Sequence, residues 1–232
     1  MSEHIGHRTF SIEVPYEVIL PDKLEDGRRY PLITALHGMA QDPAQMRRDL
    51  NPLMKRDCVW LFPRGPYPLE VRGRHALRIG YAWYMFDGDQ QRLRASMEAS
   101  CRHLLAVIDT VWNQHPVDLG RSALVGFSQG GYLAGVLGAR NPTRFKAVAS
   151  IAGRFKHEFF AEVAAKAGPR VALAQFHGAK DAAVKAEAAR DALEACRKLG
   201  FKQAEYFEDP DAAHEISAHM LDKLGAWLDR VL

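Results

Sequence analysis

The residue best suited to covalent chemistry is Ser128, at the centre of the segment Gly126-Phe127-Ser128-Gln129-Gly130. This segment matches the G-x-S-x-G pattern, in which a strand turns sharply into a helix and exposes a serine hydroxyl. The flanking glycines are needed because a Cβ at position 126 or 130 would collide with the neighbouring turn. A pattern with only three fixed positions also occurs by chance in many proteins. Here, however, an apolar run precedes the serine and small residues follow it. The sequence therefore predicts a serine nucleophile.

A serine hydroxyl needs a general base near neutral pH, and the base is usually a histidine oriented by a carboxylate. In a strand–serine–helix arrangement the chain order is serine, then Asp or Glu, then histidine. His214 follows a predicted strand and comes just before the last predicted helix. His219 lies within that helix, where a surface or packing role is expected. His214 is therefore the predicted base.

Three aspartates compete for the role of the carboxylate. Asp181 ends the loop His177-Gly178-Ala179-Lys180-Asp181, directly after another predicted strand. Asp209 and Asp211 are so close to His214 in sequence that turn or capping roles explain them better. Asp181 is therefore the predicted acid.

An acyl-transfer site also needs two backbone N–H groups that stabilise the oxyanion of the tetrahedral intermediate. The first predicted donor is Gln129, the residue after the nucleophile. The second is Met39, in the loop His37-Gly38-Met39 that ends an apolar strand. Gly38 lets the backbone approach the substrate. We interpret His37, and likewise His177, as structural histidines that hold their loops rather than as bases.

These residues must be positioned by short apolar strands that alternate with helices. Such a pattern is typical of an α/β fold, a mostly parallel sheet with helices on both faces, in which ligands bind beyond the carboxyl ends of the strands. The sequence predicts a strand pair at 9–20 interrupted at Pro15 and a long irregular stretch at 63–88. It predicts further strands at 32–36, 58–62, 123–127, 145–151, 171–176 and 204–207. Helices are predicted at 43–56, 89–112, 129–139, 156–166, 183–199 and 215–231.

Length and composition narrow the class of protein. The 232 residues are 47% hydrophobic and contain no linker or repeat, which predicts a single domain over 1–232. No apolar stretch is long enough to cross a bilayer, so we expect no stable membrane insertion. The start of the chain has no apolar signal region. Cys58, Cys101 and Cys196 have no metal-binding spacing, so we expect reduced thiols, no metal and a cytoplasmic location.

The formal net charge of +3 is concentrated in one segment. Four arginines, opposed only by Glu70, account for the whole surplus, and the rest of the chain is neutral. A protein that binds nucleic acid usually spreads a larger basic surplus over a face or a helix, so we expect no nucleic-acid partner. The four arginines are Arg64, Arg72, Arg74 and Arg78.

Together these motifs resemble the phospholipase/carboxylesterase family, the α/β-hydrolase group that contains acyl-protein thioesterases and small bacterial carboxylesterases. The resemblance covers residues 16–232. Its motifs are Leu36-His37-Gly38, the G-F-S-Q-G-G sequence of 126–131, His177 to Asp181 and His214-Glu215-Ile216.

The resemblance implies an α/β-hydrolase fold and a serine carboxyl-ester hydrolase that uses no cofactor or metal. It assigns the catalytic triad to Ser128, Asp181 and His214, and the oxyanion hole to Met39 and Gln129. It implies a small-molecule or lipid ester as substrate, and it allows a homodimer, although no stripe in the sequence identifies an interface.

The sequence departs from the family pattern in two places. Asp181 is followed by Ala182-Ala183-Val184, where family members often have an apolar residue and a proline. The segment 63–88 is longer and richer in arginine than in the thioesterases. These departures bear on the identity of the acid and, more strongly, on that of the substrate.

The segment 63–88 leaves the carboxyl end of a predicted strand and should border the site. One hypothesis is that Trp83, Tyr84 and Phe86 form a wall for the acyl chain, while the arginines attract an anionic part of the substrate. In the alternative, the aromatic residues belong to a small core and the arginines are solvated.

Other functions on the same scaffold stay open at this point. The same triad would serve an acyl thioesterase, a peptidase or a cofactor-free perhydrolase. A dienelactone-type hydrolase would carry cysteine at position 128. A non-catalytic binding protein on a hydrolase fold would typically lack a triad residue, and none is missing here.

Overall fold

A computed structural model describes residues 12–73, 76–168 and 170–232. The strands are β1 (Tyr16–Ile19), β2 (Tyr30–Leu36), β3 (Val59–Pro63), β4 (Tyr67–Arg72), β5 (Leu77–Ala82), β6 (Val117–Phe127), β7 (Ala147–Ile151), β8 (Ala172–Gly178) and β9 (Ala204–Asp209). The helices are α1 (Pro43–Asp49), α2 (Gln90–Gln114), α3 (Gln129–Arg140), α4 (Ala164–Ala167), α5 (Ala186–Lys198) and α6 (Ala218–Val231).

In the described part of the chain, the central sheet has seven strands in the order β1-β3-β2-β6-β7-β8-β9. Of these seven strands, β1 runs antiparallel to its neighbour and the other six are parallel. The predicted mostly parallel sheet is thereby confirmed. Since parallel strands end at the same edge, the loops after β2, β6, β8 and β9 all leave from one side of the sheet.

Helices cover both faces of the sheet, and each face has its own buried apolar cluster. Leu104 of α2, Leu133 of α3 and Leu193 of α5 belong to one cluster. Met46 of α1 and Leu224 of α6 belong to the other. Burial on both faces explains why the central strands are almost continuously apolar in sequence.

The largest difference from the predicted elements lies in 63–88, which is not irregular throughout. β4 and β5 form an antiparallel hairpin, with Tyr67 opposite Ala82 and Arg72 opposite Leu77. β4 does alternate between more and less buried residues, but Pro68 within it argues against a strand. An edge hairpin tolerates that proline, because one side of the strand is unpaired.

Other boundaries differ less. The predicted helix at 156–166 consists of two 3-10 turns, His157–Phe159 and Ala161–Val163, followed by the single turn of α4. The helix predicted at 43–56 ends at Asp49 and is followed by a 3-10 turn at Asn51–Leu53. Of the strand pair predicted at 9–20, residues 9–11 lie outside the described residues, as does Arg74.

Within residues 12–73, 76–168 and 170–232, none of the helices combines the length and apolar character needed to cross a membrane. The same ranges contain no group of three or more His, Cys, Asp or Glu side chains arranged to hold a metal ion. The three cysteines are buried free thiols. Burial raises the pKa of each thiol to about 12, so they stay protonated near neutral pH.

Candidate active site

Ser128 occupies the turn between β6 and α3 in a strained backbone conformation, with φ 49° and ψ −116°. Such an angle is costly for a residue with a Cβ and persists only where its surroundings impose it. Here the Ser128 N–H donates to the carbonyl of Ile151 at 2.8 Å, and the Ser128 carbonyl accepts from Gly131 at 2.9 Å. The backbone of the neighbouring strand and helix therefore holds the serine in place.

The two flanking glycines allow backbone to approach this turn closely. A Cβ at Gly126 would lie 2.2 Å from the Gly130 carbonyl oxygen, which is the collision with the neighbouring turn that the sequence predicts. A Cβ at Gly130 would lie 2.2 Å from the carbonyl oxygen of Leu36, so its collision is instead with the end of β2. The second glycine thus keeps the start of α3 against the loop that contains Met39.

The structure brings the predicted nucleophile, base and acid into one hydrogen-bonded chain. The Ser128 hydroxyl is 3.0 Å from Nε2 of His214, and Nδ1 of His214 is 2.8 Å from Oδ2 of Asp181. The Asp181 side chain is fully buried, whereas the His214 side chain is 29% exposed. A histidine with one nitrogen on a buried carboxylate and the other on a serine is arranged to take the serine proton.

The competing aspartates have other partners. Asp209 accepts from the Ser217 hydroxyl at 2.6 Å and from the N–H groups of Asp211 and Ala212. Asp211 pairs with Lys180 at 2.8 Å. Both aspartates therefore organise the loop around His214.

The loop around Asp181 is held by hydrogen bonds to the Asp181 carboxylate, although it lacks the proline that is common in the family. Oδ1 of Asp181 accepts from the N–H groups of Ala183 and Val184 at 2.8 and 2.9 Å. The fully buried His177 accepts at Nδ1 from Gln175 and donates from Nε2 to the Val184 carbonyl at 2.7 Å. That Nε2 is also 3.3 Å from Oδ2 of Asp181. His177 thus holds its loop, as expected.

The loop that contains Met39 is fixed by hydrogen bonds on both sides of that residue. The Gly38 N–H donates to the side-chain oxygen of Gln41 at 2.8 Å. The Ala40 N–H donates to the Tyr81 carbonyl, and the Tyr81 N–H donates to the Gln41 carbonyl, both at 2.9 Å. Within the described chain, the N–H groups of Met39 and Gln129 donate to no protein acceptor. Both remain available to an oxyanion.

His37 ties the same loop to the segment after β3. Its Nδ1 lies 2.7 Å from the Gly38 carbonyl, and its Nε2 accepts from the Gly65 N–H at 3.0 Å. An acceptor on one nitrogen and a donor on the other require the neutral ring. Burial lowers the pKa of His37 to about 4, so the ring stays neutral near pH 7. The expectation of a structural histidine agrees with this geometry.

Trp83 lies behind the Met39 loop and does not line the cleft beside Ser128. Its indole N–H donates to the His37 carbonyl at 2.8 Å, and its ring centroid is 4.8 Å from that of His37. The Trp83 N–H donates to the side-chain oxygen of Gln129, whose amide nitrogen donates to the Tyr84 carbonyl, both at 2.8 Å. A fully buried indole N–H needs an acceptor, and that of Trp83 finds one at this loop, whereas the hypothesis placed the ring in an acyl wall.

A cleft of about 440 Å³ opens beside Ser128. Tyr84 is nearly fully buried and Phe86 is 57% exposed, and neither side chain lines this cleft. The lining residues are Met39, Gln41, Gln45, Asp49, Phe127, Ser128, His214, Glu215 and Ile216.

The arginines of the hairpin segment are engaged outside the cleft. Arg64 donates to the Glu13 carbonyl and stacks over Tyr81. Arg72 pairs with Glu70 at 2.6 Å. Arg78 donates to the Ala40 carbonyl at 2.8 Å, behind the Met39 loop. Among the described residues, the cleft therefore has no arginine to receive an anionic substrate.

Several solved structures share this fold. Esterase PE8 superposes with a TM-score of 0.75 at 23% identity, covering 95% of this chain and all of that one. Acyl-protein thioesterase 2 of Zea mays gives 0.73 at 18% identity, covering 93% and 98%. A carboxylesterase from Mesorhizobium loti gives 0.69 at 19% identity, covering 93% and 94%. These likenesses establish the α/β-hydrolase fold.

The sequence comparisons agree with the motifs around Ser128. Acyl-protein thioesterase 1 of Debaryomyces hansenii is 23% identical over 192 residues, which is 81% of this chain and 83% of that protein. The sequence model described as Phospholipase/Carboxylesterase matches residues 24–232. The chain therefore belongs to the phospholipase/carboxylesterase family, and it is an α/β-hydrolase that acts on ester bonds.

Proposed function

We propose that this protein is a serine carboxyl-ester hydrolase that works through Ser128, His214 and Asp181 and an acyl-enzyme intermediate. The observation that carries the proposal is the continuous chain of hydrogen bonds from the Ser128 hydroxyl through both nitrogens of His214 to the buried Asp181. Such a chain supplies a nucleophile, a base and an orienting charge in one place.

In the first half-reaction, Oγ of Ser128 attacks the ester carbonyl carbon while Nε2 of His214 takes the hydroxyl proton. The carbonyl oxygen becomes an oxyanion, and the N–H groups of Met39 and Gln129 donate to it. When the tetrahedral intermediate collapses, His214 gives the proton to the leaving alcohol oxygen. The acyl group remains on Ser128 as an ester.

In the second half-reaction, water replaces the alcohol. His214 takes a proton from the water as it attacks the acyl carbonyl, and then returns that proton to Oγ of Ser128. The carboxylic acid leaves and the free serine is restored. Asp181 accepts from Nδ1 of His214, which keeps the proton of the neutral ring on that nitrogen, and it stabilises the imidazolium.

An acyl thioesterase is the second candidate, because the relatives from Debaryomyces hansenii and Zea mays carry that name. The same triad would cleave a thioester, and a thiolate leaves with less help from His214. A non-catalytic binding role is disfavoured, because it gives no reason for a strained serine hydrogen-bonded to a histidine and a buried carboxylate.

Labelling with a fluorophosphonate probe tests the proposal, because the probe modifies activated serines. We expect labelling of the wild type on the peptide that contains Ser128 and none in Ser128→Ala. Ser96→Ala is the matched control, since Ser96 lies on α2 and donates to the Leu93 carbonyl. An unlabelled wild type, or a labelled Ser128→Ala, would contradict the proposal. Rates on butyrate esters and thioesters with matched acyl groups then decide between ester and thioester.

A further inference from the structure

The cleft beside Ser128 carries negative charge. Two carboxylates line it, Asp49 at the end of α1 and Glu215 directly after His214. Among the described residues, no lysine or arginine lines the cleft, and Met39, Phe127 and Ile216 supply its apolar surface. A charge of this sign favours a substrate group of the opposite sign.

The proposed mechanism decides which half of an ester meets these carboxylates. The leaving alcohol oxygen must lie beside Nε2 of His214, because that nitrogen returns the proton to it. Glu215 and Ile216, which follow His214 and line the cleft, are therefore placed to border the alcohol portion. Gln45 and Asp49 line the same cleft from α1, and being four residues apart they share one face of that helix.

Of the two carboxylates, Asp49 has fewer neighbouring groups that offset its negative charge. It is the last residue of α1, where the helix dipole disfavours negative charge. In the described part of the chain its carboxylate has no hydrogen bond and no ion pair. Arg48 acts on Asp49 only from a distance and does not line the cleft, while partial burial raises the pKa of Asp49. Glu215, by contrast, is exposed and accepts from the Ala213 N–H.

We infer that the preferred ester carries an ammonium or quaternary ammonium group on its alcohol portion, and that Asp49 is the specificity-determining residue that attracts this charge. The inference rests on the proposed ester hydrolase function. It differs from the hypothesis of an anionic substrate group, because the described arginines of the segment 63–88 have partners outside the cleft.

The test compares two esters that differ only in charge: butyrylcholine and 3,3-dimethylbutyl butyrate, in which carbon replaces the quaternary nitrogen. At low ionic strength we expect the wild type to hydrolyse butyrylcholine with about fivefold higher kcat/KM, as one partly exposed ion pair provides. In Asp49→Asn we expect the two values to agree within about twofold. Raising the ionic strength to 0.5 M should likewise reduce the preference of the wild type for butyrylcholine, because salt screens the attraction.

Asp191→Asn is the matched control, because Asp191 is an exposed aspartate on α5 outside the cleft and should leave the preference unchanged. Fluorophosphonate labelling of Asp49→Asn on the peptide that contains Ser128 shows that the variant is folded and that Ser128 is reactive. Equal kcat/KM for both esters in the wild type, or a preference that survives Asp49→Asn, overturns the inference while the hydrolase function stands. A wild type that neither takes the label nor cleaves either ester overturns the proposed function itself.

Discussion

Ser128 lies between two regions that are organised differently. On one side, the loop after β8 supplies Asp181 and the loop after β9 supplies His214, and the His214 side chain contacts both Asp181 and the serine. On the other side, the loop after β2 supplies a backbone N–H at Met39, and buried side chains behind it fix the backbone. Substitutions on the first side remove a group of the proposed triad, whereas substitutions on the second side displace a proposed oxyanion donor. Substitutions on the two sides should therefore reduce activity by different amounts and through different kinetic parameters.

The largest effect should come from His214→Ala, which removes the proposed base. We expect kcat/KM to fall by about 10⁴- to 10⁶-fold, because the proposed triad acts as a unit. The free energy of unfolding should also fall, because the fully buried Asp181 carboxylate loses the donor to its Oδ2. Steady-state hydrolysis of a p-nitrophenyl ester measures the first quantity and urea unfolding the second. His219→Ala is the control, an exposed histidine five residues away that should keep wild-type activity. Comparable losses in both variants would contradict the assignment of His214.

Asp181→Asn should have a smaller effect than His214→Ala. We expect kcat to fall by about 10³- to 10⁴-fold, because an amide no longer selects the correct tautomer of His214. The asparagine oxygen can still accept from Ala183 and Val184, so the loop should stay in place. Asp211→Asn, an exposed neighbour paired with Lys180, is the matched control and should leave kcat unchanged. A kcat for Asp181→Asn within tenfold of the wild type would mean that another acid orients His214.

On the backbone side, the buried neutral His37 should make stability depend on pH. Its pKa is about 4 in the folded protein against 6.5 for a free histidine, so below pH 6.5 the unfolded chain binds a proton that the folded chain does not. The free energy of unfolding should therefore fall as the pH drops from 6.5 to 4, by about 3 kcal/mol from this residue. Urea unfolding across this range measures the fall, and His37→Gln should reduce it. An equal fall in the variant would mean that other groups cause it.

The smallest effect should come from Trp83→Phe, which keeps the ring but leaves the His37 carbonyl without its donor. We expect kcat to fall about 10- to 100-fold with little change in KM, because the proposed oxyanion donor at Met39 shifts without being lost. Trp60→Phe is the control, since the buried indole N–H of Trp60 has no acceptor among the described residues. A loss that appears in KM instead would place Trp83 in substrate binding, as an acyl wall requires.

The sequence predicted the parts of this protein that depend on local pattern. Continuous apolar runs marked the parallel strands, and the glycines around Ser128 marked the turn into α3. His214 and Asp181 could be selected by their positions after strands, and they meet within hydrogen-bond distance. Their roles, like the single domain over 1–232, stay predictions that the variants above and limited proteolysis can test.

What could not be predicted depends on contacts between residues far apart in sequence. The bond between the Trp83 indole and the His37 carbonyl joins residues 46 positions apart and leaves no local pattern. The charge of the cleft also escaped prediction, because Asp49 meets the His214 loop only through tertiary packing of α1. The hairpin was missed because Pro68 interrupts an otherwise alternating strand.

Gln129 links the two proposed oxyanion donors. Its N–H is one donor, while its side chain accepts from the Trp83 backbone, and the Trp83 indole holds the carbonyl of His37, two residues before the other donor. The two donors are therefore linked through one chain of hydrogen-bonded residues. Substitutions within such a chain are expected to be non-additive, since the first already loosens what the second would disturb. Over evolutionary time, Trp83, Gln129 and the Met39 loop should therefore change together or not at all, whereas the residues lining the cleft can vary independently as substrates change.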